Sequence, residues 1–504
     1  MTKPTAAEPR PDRVRHSVQA GVTRLRRSWP ALLLTALLVV LMVPAALLVA
    51  PGFLGPELPA PPPPAPAWQQ APARLSPEAG LTPLSASASI PLASSVTAQV
   101  EPLLKADGGG TFTGLVQDAL TGQVLFDRGG SDNRVPASNM KLLTAVAALR
   151  ALGPERRFTT SVKSGPAAGQ VVLVGGGDVL LAPGESNGEQ VMGHAGLATL
   201  AVGTVEALKA AGTSGEIKVL VDDSLFTGPA LNPVWAEGDV AAGEVAPVYP
   251  LALNSARYDP AVTTGPRPQD PAMTAAEEFA ARLRTAAAAA GLTVAAAVER
   301  SPVPASASGE EPGKPAVLAE VESATVARQV DLMLQASDNY LAEVLGRMAA
   351  VAAGHAGSND GATAAVRAQL ADAGIPVDSI QLVDVCGLAT GNQVSARHFA
   401  DVVRAITTGT DGRLRAALDG FPVAGLSGTL DTRYRDDSTA RGAGLVRAKT
   451  GTLNTVLALS GYVVDADGRL LVFSFIGNGL TPGAAGNRAA LDRAATALAA
   501  CGCR

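Results

Sequence analysis

Histidine, cysteine and aromatic side chains are all scarce in this chain. There are four histidines in 504 residues, His16, His194, His355 and His398, and no two of them have zinc-ligand spacing. A metal site and a catalytic cysteine are therefore not expected, and no cofactor is implied. Aromatics make up 4% of the chain, so its core must be built from Ala, Val and Leu. The net charge of −5 is spread along the sequence without a basic stripe, which argues against nucleic acid as a partner. No internal repeat is apparent. Gly175-Gly176-Gly177-Asp178 lacks the lysine of a phosphate loop and is expected to be a tight turn. A histidine-based hydrolase on a Gly-x-Ser-x-Gly elbow is not expected. The three cysteines are Cys386, Cys501 and Cys503. The last two stand too close for an easy mutual bridge, so Cys386 is expected to pair with one of them.

The N-terminus is distinctive. Lys3, Arg10, Arg13, Arg15, Arg24, Arg26 and Arg27 precede Ala31–Ala50, twenty residues without charge. That length suits a membrane-spanning helix, and the flanking charge places the preceding residues in the cytoplasm; a cleaved signal peptide is the competing reading, with an apolar region that is usually shorter. The expected order is a basic tail over 1–28, a transmembrane anchor over 29–53 and a Pro-rich linker over 54–95. The rest of the chain, outside the cell membrane, would then be held by a single-pass anchor. Its first portion is read as 96–156, followed by an inserted β-rich domain over 157–316 and a second portion over 317–504. Ala/Gly/Ser/Pro-rich text from Ser301 to Pro315 closes the insert.

Within 96–156, two strands around Thr121-Gly122 lead into a helix from Val135 to Leu152. After the insert, the periodicity of Leu332, Met333, Leu341, Val344, Leu345 and Met348 predicts one helix over Val326–Ala353. Strands follow at Gly444–Thr452, Val456–Val464 and Leu470–Ile476, and then a helix over Ala484–Ala500. The last strands are expected to pair with the first hairpin. The fold class is thus α/β (α+β): one antiparallel sheet flanked by helices.

Ser138 and Lys141 stand at the start of the first of these helices, three residues apart and on one face. A lysine so placed can take the proton of a serine, and a helix start offers free N–H groups to an oxyanion. The Ser-x-x-Lys pattern occurs once and is weak alone. Its weight comes from Ser337-Asp338-Asn339 and Lys449-Thr450-Gly451, which follow in the order shared by β-lactamases and penicillin-binding proteins. A second Ser-Asp-Asn, Ser131–Asn133, precedes the serine within a Gly-rich stretch and is expected to be a turn.

The candidate catalytic residues are Ser138, Lys141, Ser337, Asn339 and Lys449. Ser138 would form an acyl-enzyme. Lys141 would be its base, made neutral by burial and by Lys449. Ser337 would relay protons, and Asn339 would bind a substrate amide. Thr450 and Thr452, with Lys449, would receive a terminal carboxylate, and Gly451 would let substrate approach the strand edge. Ser138 and Thr452 would supply the oxyanion-hole amides.

Ser138 and Ser337 are 199 residues apart (337 − 138), so a whole domain separates the first two motifs. The chain resembles the low-molecular-mass class C penicillin-binding proteins, the D-Ala-D-Ala carboxypeptidase/endopeptidase family with an insert at this point. The resemblance extends to Asp223–Phe226, Ala336–Glu343, Asp384–Leu388, Ser427–Leu430 and Arg447–Leu453. It departs where Val179 follows Gly177-Asp178 in place of proline and where Cys386 replaces a frequent serine. The resemblance implies removal of the terminal D-Ala from peptidoglycan stem peptides, with β-lactam antibiotics as covalent inhibitors. It also places Trp235, with Asp239 near it, beside the substrate side chain. A β-lactamase, a transpeptidase and an inactive wall-associated scaffold share the same motifs. Against the β-lactamase, Ala373-Gly374-Ile375-Pro376 stands where a Glu-x-x-Leu-Asn segment would be sought.

Overall fold

A computed structural model describes residues 84, 86–301 and 316–503, which belong to a compact unit spanning Pro83–Arg504. The N-terminal tail, the uncharged stretch, most of the Pro-rich linker and most of the Ser301–Pro315 spacer lie outside the described residues. No helix among the described residues is long and apolar enough to cross a membrane.

Two five-stranded sheets organise this unit. The first runs Arg447–Leu453, Val456–Val464, Leu470–Asn478, Thr111–Asp118 and Val124–Arg128, antiparallel throughout. Its centre joins the two ends of the catalytic part: Thr111 pairs with Asn478 and Asp118 with Leu471. The expected union of first and last hairpins is therefore present. Both faces are covered. Val472 and Ile476 face a core shared with the Met140–Leu152 and Ala396–Thr408 helices. Leu471, Phe473 and Phe475 point the other way, toward the Ala93–Val100 and Ala485–Ala500 helices. The two-residue alternation of a strand makes this double burial possible.

The second sheet runs Val317–Glu322, Thr159–Ser164, Gln170–Val174, Glu216–Asp222 and Thr293–Arg300. Its first two pairings are antiparallel and its last two parallel. Parallel neighbours need long crossovers. The helices Leu197–Ala210 and Pro271–Ala288 lie within these connections. This sheet is therefore mixed and helix-covered, and Val317–Glu322, last of its strands in chain order, extends it to Glu322.

The single helix expected over Val326–Ala353 is two helices, Val326–Ala336 and Asn339–Ala352. Ser337 adopts a left-handed conformation (φ 55°, ψ 39°), and the Asp338 side chain accepts from Leu341 N at 3.0 Å to cap the second helix. Short polar side chains that bond local backbone compete with helix continuation. The apolar periodicity runs across the break and hides it.

The cysteine expectation also fails. Cys501 is joined to Cys503, and Cys386 is a buried free thiol. Cys386 lies in the core beside the first sheet's helices, whereas Cys501 and Cys503 lie in the core on the opposite face. The sheet itself separates the partners that the sequence reading had joined.

Two glycines let the Ser138 segment sit where it does. A Cβ on Gly387 (φ 85°) would lie 2.0 Å from the carbonyl oxygen of Ala137. One on Gly451 would lie 2.9 Å from the Pro136 carbonyl oxygen. The close neighbour of Gly451 is thus this chain's own backbone, a structural reason for a glycine that the sequence reading had tied to substrate.

Two predictions follow from these contacts. Thiol titration of the unreduced, denatured protein should find one free thiol, and Cys386→Ser should abolish it; two thiols in that variant would restore the Cys386 pairing. Gly387→Ala should lower stability by about 2 kcal/mol or more through backbone overlap and a strained φ, measured by denaturant unfolding.

Candidate active site

The segment carrying Ser138 is held by its neighbours. Ala137 has a positive φ of 48°, which aims a short 3-10 turn, Ala137–Asn139, into the Met140–Leu152 helix. Asn139 Nδ2 donates to Ser460 Oγ at 2.6 Å, and Ser460 Oγ donates to Ser474 Oγ at 2.8 Å, tying the turn to the middle of the sheet. Asn478 holds Val135 by both its N–H (2.9 Å) and its carbonyl (3.1 Å). These anchors were not found in the sequence. Asn139–Ser460 and Val135–Asn478 are pairs more than 300 residues apart, and no local pattern marks them.

The three motifs meet. Lys141 Nζ donates to Ser138 Oγ at 3.0 Å, to Asn339 Oδ1 at 2.6 Å and to the Cys386 carbonyl at 2.8 Å. Lys449 Nζ donates to Ser337 Oγ at 2.9 Å and to the Thr450 carbonyl at 2.8 Å. Both lysines are fully buried, whereas Ser138, Ser337 and Asn339 are partly accessible. Thr450 Oγ1 lies 2.7 Å from Thr429 Oγ1, and Thr452 is exposed on the edge strand.

Burial sets the electrostatics. It lowers the pKa of Lys141 below the ordinary lysine range, while Cys386, Asp384, Asp338 and Glu343 work in the other direction. Lys449 is held well below that range, first by burial and then by the charge of Lys141. Asp338, buried itself, is paired with Arg257 at 2.9 Å and takes no direct part in the lysine contacts.

Asn339 is engaged by its neighbours at both ends of its amide. Its carbonyl oxygen is taken by Lys141, and its Nδ2 donates to the Glu244 carbonyl at 3.0 Å. It thereby orients the lysine. Trp235 is buried in the core, where its indole N–H donates to Asp384 Oδ2 at 3.0 Å. The second Ser-Asp-Asn is a turn as expected: Asp132 N bonds the Gly129 carbonyl, and Ser131 Oγ accepts from Arg397. The sequence does hold one Gly-x-Ser-x-Gly string, Gly184–Gly188, which the sequence reading overlooked. It lies in a loop with Ser186 exposed, without the strand-to-helix turn an elbow requires.

Among the described residues one group has the composition of a metal site, Glu343, Asp384 and Cys386, with ligand atoms within 4.8 Å of one another. Asp384 is already saturated. Its Oδ1 accepts from Gly387 N (2.8 Å) and Asn392 Nδ2 (2.7 Å), and its Oδ2 from Ala389 N (2.7 Å) and Trp235. Those bonds describe a carboxylate that anchors a loop.

Chemically, the arrangement suits proton abstraction from a serine. The Cys386 carbonyl and the Asn339 amide oxygen can only accept, so each requires an N–H of Lys141. A neutral Lys141 has two N–H groups for them, which leaves its lone pair facing the Ser138 hydroxyl.

The comparisons with known proteins agree with this geometry. Residues 96–274 and 262–498 match the D-Ala-D-Ala carboxypeptidase 3 (S13) family. The chain is 36% identical over 455 residues to Carboxypeptidase Rv3627c of Mycobacterium tuberculosis, covering 89% of this chain and 91% of that protein. It is 35% identical over 436 residues to Carboxypeptidase DacB of Mycolicibacterium smegmatis, with 86% and 90% covered. The fold resembles the crystal structure of penicillin binding protein 4 (dacB) from Haemophilus influenzae, with a TM-score of 0.60 at 21% identity, over 81% of this chain and 98% of that one. The chain therefore belongs to the D-Ala-D-Ala carboxypeptidase 3 (S13) family, and it is a D-Ala-D-Ala carboxypeptidase.

Proposed function

We propose that Ser138 is the nucleophile of this carboxypeptidase and Lys141 its base. The observation that supports this best is the 3.0 Å contact between Lys141 Nζ and Ser138 Oγ in a site where the lysine is fully buried. Neutral Lys141 takes the hydroxyl proton, and Oγ attacks the carbonyl carbon of the penultimate D-Ala of a stem peptide. The oxyanion is received by the backbone N–H groups of Ser138 and Thr452. Ser337, hydrogen-bonded to Lys449, delivers a proton to the departing amine as the C–N bond breaks. Lys449, Thr450 and Thr452 hold the terminal carboxylate, free D-Ala leaves, and water hydrolyses the ester on Ser138.

β-Lactams acylate the same hydroxyl in this scheme. The H. influenzae penicillin binding protein 4 solved in complex with a β-lactam supports that extension. Attachment to the cell membrane through residues 29–53 belongs to the same reading and rests on the uncharged Ala31–Ala50 stretch and the basic residues before it. The catalytic part would then face peptidoglycan outside the membrane.

A fluorescent penicillin should label the wild-type protein and fail to label Ser138→Ala. D-Ala release from a stem pentapeptide should fall by roughly 10³-fold or more in Ser138→Ala and Lys141→Ala. A folded wild type that takes no label overturns the assignment, and rapid nitrocefin turnover would favour a β-lactamase. The pH dependence has a definite sign. Because burial lowers Lys141, its neutral form persists to lower pH than in a free lysine. Acylation should therefore persist to lower pH than a free lysine would allow and decline as pH falls through the lowered pKa, measured as the acylation rate against pH.

A further inference from the structure

Glu343 is a fully buried carboxyl with no role in the scheme above. It lies four residues after Asn339, on the same face of the Asn339–Ala352 helix. Its Oε1 accepts from the backbone N–H groups of Val385 at 3.0 Å and Cys386 at 2.9 Å. The carbonyl of that same Cys386 accepts from Lys141 Nζ at 2.8 Å. One helix face therefore supplies both acceptors that direct Lys141 toward Ser138: Asn339 by direct contact and Cys386 through the Glu343 clamp. Asp384 holds the far side of the loop through the N–H groups of Gly387 and Ala389. The second oxygen of Glu343, Oε2, is buried and has no hydrogen-bond partner, so this carboxyl is only half used by the loop.

We propose that Glu343 is a positioning residue for Lys141, which clamps the Cys386 carbonyl against the amine and whose carboxyl charge tunes how readily that amine becomes neutral. The proposal rests on the reading of Lys141 as the base for Ser138. Burial, with Asp384 adding to it, pushes the Glu343 pKa up to about 7. The ionised carboxylate favours the charged form of Lys141, and the protonated carboxyl relaxes that hold. The groups acting on Lys141 are Lys449 from the edge strand, Asp338 and Glu343 from the helix and the turn before it, and Asp384 and Cys386 from the loop. Those acting on Glu343 are Asp384 and Arg347, with Cys386 at its amide.

The test uses two variants of the full chain and the acylation rate by fluorescent penicillin across pH. Glu343→Gln keeps a carbonyl acceptor and removes the charge. Its alkaline plateau should stay close to wild type, and its acid limb should move to lower pH. Glu343→Ala loses the clamp as well and should acylate about 10- to 100-fold more slowly on the plateau, the scale of a misplaced catalytic group. A merely structural Glu343 would lower the melting temperature in both variants and leave the acid limb of Glu343→Gln where it is. An unmoved acid limb, a wild-type rate in Glu343→Ala or equal losses in both variants overturns the proposal. If Glu343→Ala does not fold, the acid limb of Glu343→Gln decides alone. Wild-type labelling and its loss in Ser138→Ala are scored alongside, so a failure of the nucleophile assignment is told apart from a failure of the Glu343 role.

Discussion

Two ammonium groups buried beside one another are the constraint around which this molecule is built. Each charge removed from water costs several kcal/mol unless it is compensated or given up. Lys141 and Lys449 meet that cost in different ways. Lys141 is surrounded by three oxygen acceptors and by the more distant carboxylates of Asp338, Glu343 and Asp384. Lys449 has a hydroxyl and a carbonyl, and its nearest charge is another cation. The two are therefore poised differently: one can be drawn between charged and neutral forms, while the other is held strongly toward neutrality until an anion arrives. In the reaction proposed above the terminal carboxylate of the substrate is such an anion, and binding it would favour the charged form of Lys449, which in turn would press Lys141 toward its neutral form.

That the three motifs meet was legible in the sequence, because the chemistry proposed for them constrains residue type directly. The proposed nucleophile, base, relay and cation must be particular side chains, and three short motifs spell them. The sheet was legible for a similar reason: alternating apolar residues around Thr121-Gly122 and Asp467-Gly468 can form hairpins and little else. What escaped was the support. Asn139, Ser460 and Asn478 hold the nucleophile segment through contacts that close only in three dimensions. Glu343 was visible as text beside Ser337-Asp338-Asn339, but helical spacing alone reads it as one more polar face. The break at Ser337 was lost because packing periodicity continues through a residue whose left-handed backbone is decided locally. Cys386 was misassigned because pairing depends on which side of a sheet each thiol occupies.

The insert is more than a spacer between motifs. Segments around Val179, Val245, Val248 and Ala252 pack into the same core as the nucleophile helix. Glu244 from this region holds the Asn339 amide, and Arg257 holds Asp338. The second motif is therefore positioned from both sides, by its own helix and by the inserted chain. This explains how a segment so long can separate Ser138 from Ser337 without loosening their geometry.

The pairing of Thr111–Asp118 with Leu470–Asn478 has a consequence for biosynthesis. The strand that leads to the Ser138 segment finds its central neighbour only after the insert and all three motifs have been made, across some of the longest sequence separations in the chain. A nascent polypeptide that stops short of Leu470 already contains all three motifs, yet it has no central strand on which to assemble them. Assembly of the three motifs on one sheet is thus tied to the emergence of Leu470–Asn478.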